Sequence, residues 1–151
     1  MDVAARLKEL GIVLPPAAKP VASYVPVVLS GNLAFVSGQI ARKGDHVIFR
    51  GKVGEAVSVE QGYSAARECA LSALAAMEAE GLLDRIARVV KLTGYVASAP
   101  GFADQPKVVN GASDLLVQVF GDQGRHARAA VGVAALPLGA SVEVEFVFEV
   151  R

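Results

Sequence analysis

Apolar and polar residues alternate most strictly at the C-terminal end of the chain. From Val142 to Val150 every second residue is apolar, and three glutamates and Val147 occupy the positions between them. Side chains of a strand point alternately to the two faces of its sheet, so one face of this segment is apolar and the other largely polar. The pattern predicts a final strand over Val142–Val150.

Three other segments have the pattern of helices. Ser58–Glu80 begins with the capping-box pair Ser58 and Gln61, which satisfies the first free N–H groups of a helix. Asp104–Phe120 is predicted as a second long helix with Asp104 as its N-cap, and Asp2–Leu10 as a short one. The apolar stripe of the first long helix, which would face a sheet, consists of Ala66, Ala70, Leu74 and Met77.

The remaining β-prone segments complete an α+β fold. They alternate with turn residues and predict strands over Tyr24–Leu29, Leu33–Ser37, His46–Arg50, Arg85–Ala97 and Ala127–Ala135. The predicted order is β-β-β-α-β-α-β-β, with two helices on one face of the sheet and the short N-terminal helix outside it. We expect a single domain over residues 1–151, in which 1–22 form the N-terminal helix and an extended lead-in. The second sheet face has no helix to cover it, so it is either wet or packed against other subunits.

Composition and charge exclude several classes of protein. The 151 residues carry 15 Lys plus Arg and 15 Asp plus Glu, and only 6% of them are aromatic, which argues against a nucleic-acid binder. The one cysteine, Cys69, cannot form an internal disulfide and fits a reducing compartment. No apolar run has the length of a membrane span, and the N-terminus lacks the layout of a secretory signal. We therefore expect a cytoplasmic protein without a membrane partner.

Arg128 is the most conspicuous candidate for chemistry. It is the only charge in the predicted strand Ala127–Ala135, and the residues at alternate positions beyond it are Ala130, Gly132 and Ala134. A buried guanidinium needs a partner, and its planar fork matches a carboxylate with two parallel hydrogen bonds. Two hypotheses remain open from the residues alone, namely a bound carboxylate and a structural ion pair with Glu143, Glu145 or a neighbouring chain.

Other candidates are weaker when taken singly. Glu143 could accept a proton or position a water molecule, or it could be a solvated strand glutamate. Ser37-Gly38 offers polar contacts, or simply ends a strand. The two histidines, His46 and His126, lack metal-ligand spacing, so no metal site is expected. Asn110-Gly111 lies inside a predicted helix despite poor helix propensity, which indicates a close contact, a ligand or a kink.

Several short motifs together resemble the RidA/YjgF family over about Tyr24 to Val150. They are Tyr24-Val25, Gly31-Asn32, Val36-Ser37-Gly38-Gln39-Ile40, Ala127-Arg128, Leu136-Pro137 and Val142-Glu143-Val144-Glu145. The lead helix and His126-Ala127-Arg128 resemble a longer branch of that family. The resemblance implies a chorismate-mutase-like fold with a mixed sheet, a homotrimer with clefts between subunits, and hydrolysis of imines or enamines such as 2-aminoacrylate to a 2-keto acid and ammonia. It implies no cofactor.

The resemblance also assigns roles to individual residues. It implies that Arg128 clamps the substrate carboxylate and that Glu143 lies near the attacking water. The cleft-lining positions it implies are Tyr24, Ser37, Gly38, Asn110 and Ala130. Ala130 stands where the family commonly has a cysteine, and Ser113 stands where an aromatic residue is usual, so we expect a wider or more polar cleft. A non-catalytic binder of small carboxylates is the alternative, and neutral charge and the lack of a histidine pair weigh against a ribonuclease.

Overall fold

The secondary structure of the chain, in a computed structural model that describes residues 1–151, contains the expected elements in their expected order and one additional short strand before the first long helix. The helices are α1 (Val3–Glu9), α2 (Val59–Ala79) and α3 (Gln105–Phe120). The strands are β1 (Val27–Ser30), β2 (Leu33–Ile40), β3 (Arg42–Lys43), β4 (His46–Val47), β5 (Ile86–Ala97), β6 (Ala127–Val133) and β7 (Val142–Val150). None of the three helices combines the length and the apolar character that crossing a membrane requires.

Five strands form one mixed sheet in the order β1-β2-β7-β5-β6. The pair β5/β6 is parallel, and the other three neighbouring pairs are antiparallel. Helices α2 and α3 pack together and lie on one face of this sheet. The predicted α+β architecture with two long helices on one face of a mixed sheet is confirmed.

The core lies between that sheet face and the two helices. It contains 34 buried residues, and the alternate apolar residues of β7 point into it as predicted. Phe146 and Phe148 stack within it with ring centroids 5.9 Å apart, and Leu74 and Met77 of α2 are fully buried there. Each such side chain contributes roughly 1.5–3 kcal/mol through burial, so this layer fixes which sheet face is closed.

Several predicted strands have other bounds in the structure, including β2, which extends to Ile40, and β6, which ends at Val133. The first strand begins at Val27 rather than Tyr24, directly after Pro26, which has no N–H for a strand ladder. The predicted strand His46–Arg50 is reduced to His46–Val47, which pairs with β3 in a separate two-stranded sheet. Phe49 adopts φ 55°, a left-handed conformation that ends the extended run.

The two long helices begin in different ways. In α2 the predicted capping box is present, with Gln61 N–H donating to Ser58 Oγ at 3.1 Å and Ser58 N–H donating to Gln61 Oε1 at 3.0 Å. The Asp104 side chain, by contrast, caps no N–H group of α3 and instead lies 3.7 Å from Lys107 Nζ. The expectation that the Asp104 side chain caps the helix is therefore wrong, although α3 does begin after this residue.

A close contact between helices explains the glycine in the middle of α3. A methyl group added to Gly111 would lie 1.9 Å from the backbone oxygen of Tyr63 in α2. Only glycine allows the two helix backbones to approach this closely. The glycine marks a close helix–helix contact, which was one of the alternatives left open.

Candidate functional site

A β-bulge in β2 creates the first cluster of predicted site residues. Val36 pairs with Phe146 and Gln39 with Val144, so Ser37 and Gly38 together stand opposite the single residue Glu145. Bulges redirect side chains and backbone groups, and they occur frequently beside active sites. The strand does not end at Ser37, as the sequence suggested, but continues through the bulge to Ile40.

Gly38 lies directly under the carboxylate of Glu143. A methyl group added to Gly38 would be 2.7 Å from Glu143 Oε2 and 2.9 Å from its Cδ. Burial raises the pKa of Glu143, and the negative charge of Glu145 raises it further. A carboxyl group with a raised pKa exchanges protons more readily near neutral pH, which suits a general acid or base.

Glu145 is hydrogen-bonded by a tyrosine. The Tyr95 hydroxyl donates a hydrogen bond of 2.7 Å to Glu145 Oε1, and this bond is the main cause that raises the pKa of Tyr95. Tyr95 pairs with Glu143 across the β5/β7 ladder, so both residues lie on the sheet face that the helices leave open. The pair Tyr95–Glu145 thus leaves the Glu143 carboxylate without a tyrosine donor of its own.

Ser37 and Tyr24 border a pocket beside this cluster. The Ser37 hydroxyl donates to the carbonyl oxygen of Val25 at 2.7 Å, which leaves its oxygen lone pairs free to accept. The pocket measures about 250 Å³. Its lining includes Tyr24, Ser37, Gly38, Lys19 and Arg42. The structure therefore brings Tyr24, Ser37, Gly38 and Glu143 into one neighbourhood, which we call the Glu143 cluster.

Arg128 lies elsewhere, on the helix side of the sheet. It pairs with Leu92 of β5, which is buried beneath the helices, whereas Glu143 is on the open face. Arg128 forms none of the ion pairs of the chain. The hypothesis of an ion pair with Glu143 or Glu145 of the same chain is therefore wrong, because the pleat of the sheet points these side chains to opposite faces.

The guanidinium of Arg128 is held by α3 instead. Its NH1 donates to Ser113 Oγ at 3.1 Å, and its NH2 donates to the carbonyl oxygen of Pro106 at 3.3 Å. Asn110 is half-buried and lies between these residues on the same stripe of α3, because positions four and seven residues apart share a helix face. Ala130 lies two residues along β6 from Arg128, and we call this group the Arg128 cluster.

His126 extends the Arg128 cluster by one more residue. Its Nε2 lies 2.8 Å from Ser113 Oγ, and its Nδ1 lies 2.6 Å from the carbonyl oxygen of Gly124. Burial has the largest influence on the pKa of His126 and lowers it. The hydrogen bond to Gly124 raises this pKa, whereas the positive charge of Arg128 lowers it further.

Sequence reasoning missed this role of His126 and that of Tyr95. Two features of the sequence could have indicated the role of His126. It precedes Arg128 by two positions, a spacing that directs both side chains to one face of an extended segment, and Ser113 stands where the family usually has an aromatic residue. No comparable signal pointed to Tyr95, whose contact depends on strand register.

Cys69 has no reactive surroundings. It is completely buried in the core, and burial raises the pKa of its thiol well above the ordinary value. The structure agrees with the interpretation of Cys69 as a small apolar core residue. No three His, Cys, Asp or Glu side chains converge in a geometry that could hold a metal ion.

Comparisons with known proteins agree with this architecture. Residues 4–150 match the family model described as "YjgF/chorismate_mutase-like, putative endoribonuclease". Protein TCP17 of Trypanosoma cruzi is 50% identical over 151 residues, which cover 99% of this chain and 94% of that protein.

Two solved structures show how closely the fold is shared. The protein Atu1372 of Agrobacterium tumefaciens is 48% identical, with a TM-score of 0.90 over 99% of this chain and 92% of its own. RidA from the Antarctic bacterium Psychrobacter is 26% identical, with a TM-score of 0.62 over 89% of this chain and 94% of its own. Because the family model and these relatives span nearly the whole chain, the chain belongs to the RidA/YjgF family and has the YjgF/chorismate mutase-like fold.

Proposed function

We propose that this protein hydrolyses a small imine or enamine carboxylate, such as 2-aminoacrylate, to a 2-keto acid and ammonia. The observation that carries the proposal is the Arg128 guanidinium, which belongs to a partly buried side chain, is free of any carboxylate of its own chain and is fixed by two hydrogen bonds. A preoriented, unpaired guanidinium is a binding site for a carboxylate. Membership of the RidA/YjgF family and the likeness to RidA support this choice of substrate.

In the proposed reaction the enamine first takes the tautomeric imine form. Water then adds to the imine carbon, and the resulting carbinolamine loses ammonia, so that C=NH and H₂O become C=O and NH₃. Glu143 is the acid or base in this scheme, because its raised pKa lets it accept a proton from water and return one to the departing nitrogen. Ser37 and Gly38 border the substrate, and Arg128 fixes its carboxylate.

The two clusters cannot act on one small molecule within a single chain. Arg128 and Glu143 are two strands and about three residues apart in register, which corresponds to roughly 14 Å between their Cα atoms, and they are on opposite faces. We therefore propose a homotrimer in which Arg128 of one subunit meets Glu143 of the next. The apolar residues Val28, Phe35 and Val131, which are 50%, 45% and 41% exposed on the open sheet face, supply an interface for such an assembly. We also propose a cytoplasmic location, which the lack of any disulfide at the single cysteine Cys69 supports.

The activity is tested by adding the protein to freshly generated 2-aminoacrylate and following ammonia and pyruvate. We expect acceleration above buffer, a loss of rate and of carboxylate binding in Arg128→Ala, and little change in Arg125→Ala, a neighbouring exposed arginine that lies 3.6 Å from Asp122. Carboxylate binding without any acceleration would favour the non-catalytic binder. Cleavage of RNA that survives Arg128→Ala would favour a nuclease instead.

Mixing two inactive variants tests the cleft between subunits. Arg128→Ala and Glu143→Gln each remove one partner from every site. When they are unfolded and refolded together, about a quarter of the sites should combine an intact Arg128 from one chain with an intact Glu143 from another. Recovery of about that share of activity supports the cleft, whereas a monomer by native mass measurement, or no recovery in mixed trimers, contradicts it.

A further inference from the structure

Ser113 and His126 form a directed chain of hydrogen bonds that ends at Arg128. The carbonyl oxygen of Gly124 can only accept, so the Nδ1 that lies 2.6 Å from it carries the proton. In the neutral ring Nε2 is then an acceptor, and the Ser113 hydroxyl donates to it at 2.8 Å. The lone pairs of Ser113 Oγ are thereby directed to its remaining neighbour, NH1 of Arg128, at 3.1 Å.

This chain and the Pro106 carbonyl fix both ends of the guanidinium. Of its five N–H donors, one on NH1 is directed to Ser113 and one on NH2 to Pro106. Three donors remain for a ligand, and the orientation of the guanidinium plane is fixed before the ligand binds. Arginine is among the side chains with the most rotamer freedom, so fixing it before binding removes an entropic cost from the binding step.

We infer that Ser113 and His126 are positioning residues that hold Arg128 ready for a substrate carboxylate. This inference rests on the proposed function, since it specifies how the clamp of that same site is oriented. Neither residue needs to touch the substrate. His126 acts through Ser113, and Ser113 acts through the direction of its hydroxyl.

These hydrogen bonds also give a physical reason for the polar residue at position 113. A phenylalanine there could neither accept from Arg128 nor donate to His126, and a tyrosine would carry its hydroxyl on the far side of a ring rather than beside the helix backbone. The serine and the histidine therefore act as one unit, and each orients the Arg128 guanidinium only when the other is present. Residues that act as a unit show non-additive effects when both are removed.

The test measures 2-ketobutyrate affinity by calorimetry in variants that remove or keep each bond. Ser113→Ala and His126→Asn should weaken binding by about three- to tenfold, the factor expected when a long side chain must be ordered during binding. His126→Asn keeps a donor near the place of Nδ1 but has no acceptor at the place of Nε2, whereas His126→Gln can place an acceptor there. Ser113→Thr keeps the hydroxyl. We expect Ser113→Thr, His126→Gln and the control His46→Gln, at an exposed histidine, to stay within twofold of wild type.

The double variant and a ligand-free measurement make the outcome decisive. Ser113→Ala combined with His126→Asn should weaken binding no more than Ser113→Ala alone. In nitrogen-15 NMR spectra the Arg128 Nε–H signal is assigned by its absence in Arg128→Lys. Its chemical shift should differ from that of solvent-exposed arginines in wild type and in Ser113→Thr. In Ser113→Ala the chemical shift should coincide with that of solvent-exposed arginines. Additive losses, or an Nε–H signal unchanged by Ser113→Ala, would overturn the inference. If wild type binds no 2-ketobutyrate, the proposed clamp fails, and the NMR comparison decides the positioning role separately.

Discussion

Replacing Gly111 by alanine tests whether the contact between α2 and α3 sets the position of the Arg128 cluster. The added methyl group would lie 1.9 Å from the backbone oxygen of Tyr63, 2.8 Å from its carbonyl carbon and 3.1 Å from the backbone nitrogen of Arg67. The shortest of these distances is about 1.5 Å below ordinary contact. No rotamer change can relieve it, because all three atoms belong to the backbone of a helix.

The expected cost follows from two opposing effects. Alanine is favoured over glycine in a helix interior by about 0.8–1.0 kcal/mol, which would stabilise the variant. Overpacking a well-packed core costs typically about 1–3 kcal/mol, occasionally more, and a contact with rigid backbone belongs at or above the upper end of that range. We expect a net loss of about 2 kcal/mol, which for a chain of 151 residues lowers the Tm by roughly 4–8 °C.

Thermal unfolding at a fixed protein concentration measures this loss, and Gly62→Ala in α2 is the matched control. A methyl group on Gly62 meets only side-chain atoms, the nearest being Val108 Cγ1 at 3.0 Å, which can shift. We expect Gly62→Ala to change the Tm by no more than about 2 °C, because the gain in helix propensity offsets mild crowding. An unchanged or raised Tm in Gly111→Ala would refute the argument that backbone contact positions α3.

Three further predictions concern the Glu143 cluster and one buried hydroxyl. Gly38→Ala should change the Tm by no more than about 2 °C but displace the Glu143 carboxylate, whose Oε2 would be 2.7 Å from the new methyl group. The kcat for 2-aminoacrylate should therefore fall at least tenfold. An unchanged kcat would contradict the placement of Glu143 in the site. Because burial and Glu145 raise the pKa of Glu143, folding binds a proton more tightly and stability falls as pH rises through that raised pKa. Glu143→Gln should therefore be more stable than wild type in urea unfolding at pH 7, with the difference vanishing below pH about 4, and a difference that grows in acid would have the wrong sign. Ser141→Ala should raise the free energy of unfolding by up to about 1 kcal/mol, since the buried Ser141 hydroxyl has no hydrogen-bond partner, and a marked loss of stability would reveal a partner.

Much of the fold is encoded in local patterns. The alternation in β7 and the capping box at Ser58 depend only on residues close in the chain, and the structure retains both. The strand predicted over His46–Arg50 is shortened to His46–Val47, because the left-handed backbone at Phe49 and the short pairing with β3 cannot be inferred from residue type. The prediction of a cap by the Asp104 side chain failed for a similar reason, since Asp104 has φ −93° and ψ 30° instead of the extended backbone that a capping side chain requires.

The candidate site divides in the same way. Sequence alone identified Arg128 as an unusual charge in an apolar strand, because the pattern of side chains along one strand shows which residue does not fit. The sequence could not show on which face of the sheet Arg128 lies, since the residue pattern of this edge strand is compatible with either orientation. Only the register of β6 against β5, with Arg128 beside the buried Leu92, decided that the guanidinium lies on the helix side and away from Glu143.

The same limit applies to the partners of Arg128. Residue types predicted that a lone guanidinium needs acceptors, because its desolvation must be compensated. Which acceptors it finds depends on how α3 crosses β6, and α3 contacts the backbone of α2 closely at Gly111, two residues from Ser113. The sequence by itself determined the elements and the residue that anchors the chemistry; the tertiary structure decided its neighbours, because distance in space between Ser113, His126 and Arg128 is fixed by packing and not by their order in the chain.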